Sequence, residues 1–225
     1  MKKNKKYFDN RIIRKPWGYE HVVFRNKSNL CVTYLNIKPN KQTSLHCHYK
    51  KKTGFIIVSG TAKIQLGLYE RSSVIYKSPS KLMIRTGLFH QIKNVGKDNL
   101  QAFEFENPSD KFDLVRFEDE YGRIDKNYEV KKNTKIKKKF DFFSKKKQNF
   151  KFKNCSIEID YYKSLEKLTT KSNVSTIHTI MEGNIVNSLK KPVVPLGDII
   201  KNGTIKKMMK NFKIRKKIKV FSVFK

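Results

Sequence analysis

Short runs of β-branched and aromatic residues, each closed by a turn signal, dominate the chain. Runs at 20–24, 31–37, 54–58, 62–66, 81–84 and 100–106 have the length and composition of strands. Lys38-Pro39-Asn40, Ser59-Gly60, Lys77-Ser78-Pro79, Thr86-Gly87 and Asn94-Val95-Gly96 separate them, and each carries residues that favour tight turns. Many strands at this close spacing predict an all-β sandwich or barrel rather than a parallel sheet with crossover helices. Nothing before residue 130 has the periodicity of an amphipathic helix of useful length.

The pattern then changes. A basic run covers 131–139 and resumes at 145–147. The stretch 131–148 reads as a linker or exposed connection, because a run of like charges is most often solvated. Strand-like runs return at 155–162, 175–181, 198–200 and 218–224. The predicted organisation is therefore a first domain over 1–130 and, over 131–225, a basic connection followed by a second β domain.

A faint repeat links the two. Pro79, Ile84 and Gly87 recur at an offset of 116 as Pro195, Ile200 and Gly203. Ile56-Ile57-Val58-Ser59-Gly60 is similar to Thr179-Ile180-Met181-Glu182-Gly183 at a slightly larger offset. The second domain is expected to be a degenerate copy of the first. Lys206 then stands where His90 stands in the first copy, and no His-x-His precedes it, so the second copy is expected to be metal-free.

The 225 residues carry a net charge of +32. Such a balance points first to a polyanion. Nearly all of it is Lys, with Arg only at Arg11, Arg14, Arg25, Arg71, Arg85, Arg116, Arg123 and Arg215, whereas base and phosphate recognition favours Arg forks. No helix-turn-helix, zinc-finger or aromatic RNA-binding motif accompanies the charge, so no specific nucleic-acid partner is expected. Abundant Lys, Asn and Ile are what an AT-rich coding sequence gives at neutral surface positions. No apolar stretch of 18 residues predicts a membrane span, and the start has no signal-peptide pattern. Cys31, Cys47 and Cys155 lack paired spacing, as reduced thiols of a cytoplasmic protein do.

His46-Cys47-His48 is the sharpest local feature. On a strand, His46 and His48 point to one face and Cys47 to the other. Two imidazoles on one face can ligate one divalent ion, and His90, opening a later strand, is the candidate third ligand. Three neutral nitrogens leave coordination positions for water or substrate. The competing reading is a pair of half-buried polar residues. Trp17 reads as a packing residue, Cys47 as a small buried hydrophobe, and His21 and His178 as structural histidines.

The ordered motifs resemble the cupin superfamily, in particular the C-terminal cupin domain of type II mannose-6-phosphate isomerases. Lys15-Pro16-Trp17-Gly18-Tyr19-Glu20 resembles that family's entry motif, and Ser44-Leu45-His46-Cys47-His48 its metal motif. Val58-Ser59-Gly60-Thr61-Ala62 matches the following turn. Gly87-Leu88-Phe89-His90 resembles the segment of the last histidine ligand, with Asn94-Val95-Gly96 as the turn beyond. Residues 115–123, Val-Arg-Phe-Glu-Asp-Glu-Tyr-Gly-Arg, resemble the closing motif. The likeness covers about 14–123.

The resemblance implies a double-stranded β-helix, or jelly roll, holding a divalent metal: zinc, or iron or manganese as in other cupins. It implies a sugar phosphate or nucleotide sugar as the small-molecule partner, within polysaccharide or nucleotide-sugar metabolism, and a possible homodimer. It implies proton transfer beside a metal that polarises sugar oxygens. Arg116 is the expected substrate contact. Arg116 and Arg123 could equally fix the chain through Glu118, Asp119 or Glu120. Lys51 and Lys52, near the expected barrel mouth, would suit a phosphate or carboxylate. No catalytic acid or base is identified. One departure bears on activity: Thr53 stands where the family carries a glutamate ligand, and 49–55 contains no carboxylate. The alternative is thus a non-catalytic cupin that binds sugar or an anionic ligand. No guanylyltransferase segment precedes the motifs, so the bifunctional arrangement is not expected.

Overall fold

The computed structural model describes residues 11–27, 29–126, 133–135, 140 and 142–225. Its strands run in chain order as β1 (Arg11–Lys15), β2 (Gly18–Arg25), β3 (Cys31–Ile37), β4 (Leu45–Cys47), β5 (Lys52–Ser59), β6 (Thr61–Leu66), β7 (Ser73–Lys77), β8 (Ser80–Ile84), β9 (His90–Asn94), β10 (Leu100–Asn107), β11 (Val115–Glu118) and β12 (Asn133–Lys135). The second half adds β13 (Gln148–Lys151), β14 (Ser156–Tyr162), helix α1 (Leu165–Thr170), β15 (Ile177–Glu182), β16 (Ile185–Val186), β17 (Ile199–Lys201), helix α2 (Asn202–Met208), β18 (Lys213–Ile214) and β19 (Ile218–Phe224). Every strand pairing is antiparallel.

The first half is the expected jelly roll. A seven-stranded sheet, β12-β1-β2-β3-β10-β5-β8, faces a five-stranded sheet, β11-β4-β9-β6-β7. Between them Trp17, Leu35, Ile37, Phe55, Ile57, Ile64, Ile92 and Leu100 form the barrel core. Trp17 is buried there as a packing residue, 4% exposed.

The large sheet is covered on both faces. Its outer face, with Phe24, Val32, Tyr34, Ile56, Phe103 and Phe105, packs against Ile157, Ile177, Met181, Ile199, Phe221 and Val223 of the second half. The second half is a five-stranded sheet, β13-β14-β19-β15-β17, laid back to back on the first. Its far face is closed by α1, α2 and the β16-β18 pair around Leu168, Ile180, Ile185, Ile205 and Ile218.

The two halves repeat a strand order. β3-β10-β5-β8 in the first reads as β14-β19-β15-β17 in the second, and the β6-β9 pair reads as β16-β18. The same glycine holds the same turn. Gly60 (φ +88°) leaves β5 and Gly183 (φ +79°) leaves β15. A Cβ on Gly60 would meet the Leu100 Cα at 3.1 Å, and one on Gly183 the Ile218 Cα at 3.1 Å. Only glycine tolerates both that backbone conformation and that approach. The second half thus repeats part of the strand order of the first, with α1 and α2 lying over its far face.

Two expectations are corrected in detail. Lys206 lies in α2 rather than opening a strand as His90 does, because the second copy inserts a helix after β17. The stretch 131–148 is not simply an exposed connection: 133–135 pair with β1, and Phe140 and Phe142 are 5% and 0% exposed inside the shared core. Large aromatic rings gain more from burial than the flanking lysines lose. The rest of its first basic run, residues 131, 132 and 136–139, lies outside the described residues.

Candidate metal centre

The three histidines converge. His46 sits at the middle of β4, directly opposite His90, the first residue of β9. His48 lies just past the end of β4, and its carbonyl accepts a hydrogen bond from the Gly87 amide at 2.8 Å. Their ring centroids are 4.4 Å (His46–His90), 5.0 Å (His46–His48) and 5.2 Å (His48–His90) apart. One ring nitrogen from each falls within 4.8 Å of the others. Cys47, between them, points to the opposite face and is 3% exposed.

Hydrogen bonds fix each ring the same way round. His46 Nδ1 meets the Ser44 carbonyl at 2.8 Å, His48 Nδ1 the Asp113 carbonyl at 2.5 Å, and His90 Nδ1 the Leu88 carbonyl at 3.0 Å. A carbonyl only accepts, so each Nδ1 carries the proton and each Nε2 is left with its lone pair. His48 Nε2 and His90 Nε2 are buried with no hydrogen-bond partner among the described residues. Burial holds His46 and His48 well below the usual imidazole range, assisted by the His90 and Lys51 charges respectively. Burial likewise brings His90 down to about 4. Three neutral imidazoles, oriented by backbone carbonyls and presenting unsatisfied lone pairs to one point, fit a divalent ion of the zinc type.

Asp113 builds the support. Its carboxylate accepts the amides of Tyr49, Lys50 and Lys51, each at 2.9 Å, while its own carbonyl holds His48. It therefore sets the loop that turns His48 inward.

The histidines line a cavity of about 70 Å³ inside the barrel, together with Trp17, Phe55, Lys15, Glu20, Lys51, Glu104, Glu106, Lys111, Arg116 and Arg123. Arg116 pairs across from His46 in β11 and donates through Nη1 to the carbonyls of Arg123 (3.1 Å) and Lys126 (2.5 Å). Arg123 is bound to Asp119 at 2.5 Å and stacks over Tyr121. Both arginines thus fix the closing segment and still border the cavity. Lys51 enters the cavity, 3% exposed. Lys52 does not, contrary to expectation: strand alternation sends it outward, where it pairs with Asp198 of the second half at 2.8 Å. Thr53 is on the inner face, 1% exposed, its hydroxyl without a partner among the described residues.

Carboxylates do enter the cavity, from a strand where they were not expected. Glu106, directly across from Thr53, bridges Lys51 and Lys111, each at 2.5 Å, and accepts from Thr33 at 3.2 Å. Burial alone would raise its carboxyl, but the Lys111 and Lys51 ammoniums outweigh that and draw it down to about 2. Burial, then repulsion from Glu106, pushes Glu104 up to about 8. The signal was present as the alternation Phe103-Glu104-Phe105-Glu106, but alternation alone reads as apolar-in and polar-out.

The sequence pattern of the family described as "Mannose-6-phosphate isomerase C-terminal" matches residues 2–119, just over half of the chain. The chain belongs to this family. A curated relative, the xanthan biosynthesis protein XanB of Xanthomonas campestris pv. campestris, is 32% identical over 116 residues, covering 50% of this chain and 24% of that protein. A putative mannose-1-phosphate guanylyltransferase of Vibrio cholerae is 31% identical over 115 residues, with the same two coverages. The chain spans about a quarter of the length of the curated relatives it matches. Among solved structures, a conserved Klebsiella pneumoniae protein with a double-stranded β-helix domain is 18% identical, covers 48% of this chain and 80% of that one, and has a TM-score of 0.41. Over its first half the chain is thus similar to parts of proteins named for xanthan biosynthesis and for mannose-1-phosphate guanylyl transfer. Among the described residues, no helix is long and apolar enough to cross a membrane, and the three cysteines are free and buried.

Proposed function

We propose that this protein is a metal-binding cupin that acts on a sugar phosphate or nucleotide sugar, in the manner of a mannose-6-phosphate isomerase, within polysaccharide or nucleotide-sugar metabolism. The observation that carries the reading is the triplet of Nε2 lone pairs, each aimed by a hydrogen bond at the opposite ring nitrogen. His46, His48 and His90 would hold a divalent ion, zinc first and iron or manganese as alternatives. Such an ion supplies Lewis acidity toward sugar oxygens.

The protein's own groups do the rest. Lys15, Lys51, Lys111, Arg116 and Arg123 outnumber Glu20, Glu104 and Glu106 around the cavity, so the lining favours an anionic ligand. Arg116 and Lys51 would hold its phosphate. Trp17 and Phe55 give an apolar wall for a sugar ring. Lys52 has no part in this binding. The family and the names of the relatives support the sugar-nucleotide setting.

A second reading has one observation in its favour: no carboxylate belongs to the histidine cluster. On that reading the barrel binds a sugar or anion without turnover. Elemental analysis of the purified chain, followed by an assay for interconversion of mannose 6-phosphate and its ketose isomer with zinc supplied, separates the two. Stoichiometric metal, lost in His48→Ala, together with turnover supports the first. Binding of mannose 6-phosphate without turnover leaves the second, and absence of metal from zinc-treated protein overturns the metal site.

A further inference from the structure

Three carboxyl groups line the histidine cavity, and two of them are spoken for. Glu106 is held by two ammonium groups and a hydroxyl. Glu20 lies 3.9 Å from the Lys15 ammonium. Glu104, on the inner face of β10 across from Thr33 and Phe55, is 8% exposed and takes no hydrogen bond or ion pair from any described residue. A buried carboxyl with no partner raises the free energy of the fold unless a partner arrives from outside. The space it faces is the cavity into which the three Nε2 atoms also point.

We infer that Glu104 is the acid–base residue of this barrel, exchanging a proton with the carbon framework of a sugar phosphate bound beside the histidines. The inference rests on the sugar-phosphate reading above and deepens it by naming the residue that moves the proton. The Glu104 carboxylate removes the proton on C2 of the aldose. The C–H electron pair becomes the C1–C2 double bond of an enediol, and O1 takes up a proton as the carbonyl opens. The O2 hydroxyl then gives up its proton, the C2 carbonyl forms, and the Glu104 carboxyl returns its proton to C1. One hydrogen has moved from C2 to C1 and one from O2 to O1, with no net gain or loss of electrons.

The surroundings suit that task. Burial above all, then Glu106 on the same strand and Glu20 on β2, disfavour the Glu104 anion, whereas Lys111 and Lys51 favour it. With the group pushed up to about 8, both of its protonation states are populated near neutral pH, as a residue that must both take and return a proton requires. Glu106, locked between two cations, cannot serve.

The test compares wild-type protein with Glu104→Gln, both zinc-loaded, supplied with mannose 6-phosphate in deuterated water. Zinc content, sugar-phosphate affinity by calorimetry and deuterium incorporation at C2 by NMR are read together. Glutamine keeps the shape of the protonated acid, so zinc content is expected to be unchanged and affinity altered by about threefold or less, while C2 exchange falls by about 100-fold or more. The rise of the wild-type rate with pH disappears in the variant. Exchange within about tenfold of wild type overturns the inference and leaves the isomerase reading intact. Wild-type protein that binds the sugar phosphate but exchanges no hydrogen at C2 overturns the inference and leaves a binding cupin. Failure of wild type to bind at all removes the sugar-phosphate reading and this inference with it. Should Glu104→Gln not fold, Glu104→Asp keeps the carboxyl with a shorter reach. Exchange about tenfold or more below wild type, with the pH profile kept, supports the inference, and an unchanged rate overturns it.

Discussion

The two halves share a strand order and differ in what lines it. On β10 and β5 the inward positions carry Glu104, Glu106 and Thr53, with Lys51 just before β5, and the histidines face them across the barrel. On β19 and β15 the equivalent face carries Ile218, Val220 and Ile180, closed over by α1 and α2. His178 sits there alone, its Nδ1 2.9 Å from the Ser222 hydroxyl. Among the described residues, the only group of three potential metal ligands is the one in the first half. A common backbone therefore supports either a packed core or a polar cavity, and the site lives in the side chains rather than in the fold. The second half does contribute one thing: it buries the outer face of the sheet whose inner face bears the site.

That shared face sets the largest expected effects. Phe221→Ala removes a fully buried ring from the core common to both halves, at a cost of about 3–5 kcal/mol. Thermal unfolding should remain one transition and move down as a whole. Two separate transitions, with the histidine half unmoved, would show the halves to be independent. Glu106→Gln leaves the buried ammoniums of Lys51 and Lys111 without their counter-charge, and about 3–5 kcal/mol is again expected. Chemical denaturation measures both.

Next comes Asp113→Asn, which weakens the three amide contacts that set the His48 loop. Zinc affinity should drop about 10–100-fold, the range for outer-shell support, while His178→Ala should leave zinc content untouched. Competition with a chromogenic chelator gives both numbers.

Protonation sharpens the contrast in opposite directions. His90, lowered from 6.5 to about 4, binds its proton more readily unfolded. The stability it contributes is present above pH 6.5 and is lost as the pH falls from there toward 4. Glu104, raised from 4.5 to about 8, binds its proton more readily folded, so its contribution is full below pH 4.5 and declines as the pH rises to 8. Glu104→Gln should therefore flatten the alkaline side of the stability profile and leave the acidic side as it is. The smallest effect belongs to Lys52→Ala, which removes a half-exposed pair with Asp198 at about 0–1 kcal/mol and should leave ligand binding unchanged.

Much of the site was legible before any coordinates. His46 and His48 share a face because strand alternation demands it, and the turn at Gly87 delivers His90 opposite His46. What escaped has one physical origin: a sheet buried on both sides. Alternation separates inside from outside only when one face meets water. Along 103–106 alternation by itself separates phenylalanines from glutamates as inside from outside, yet both faces are interior. The same ambiguity placed Lys52 beside Lys51 at the cavity, when of the two Lys51 alone turns in. Phe140 and Phe142 were hidden by the lysines around them, because a charge run was weighed as a block rather than residue by residue.

X-ray absorption at the zinc edge tests the central claim most directly. Zinc-loaded wild-type protein should show histidine nitrogens at about 2.0–2.1 Å in a one-to-one complex, with one fewer in His90→Ala. Zinc bound without histidine scattering, or bound equally well after His46, His48 and His90 are all replaced, would contradict the account.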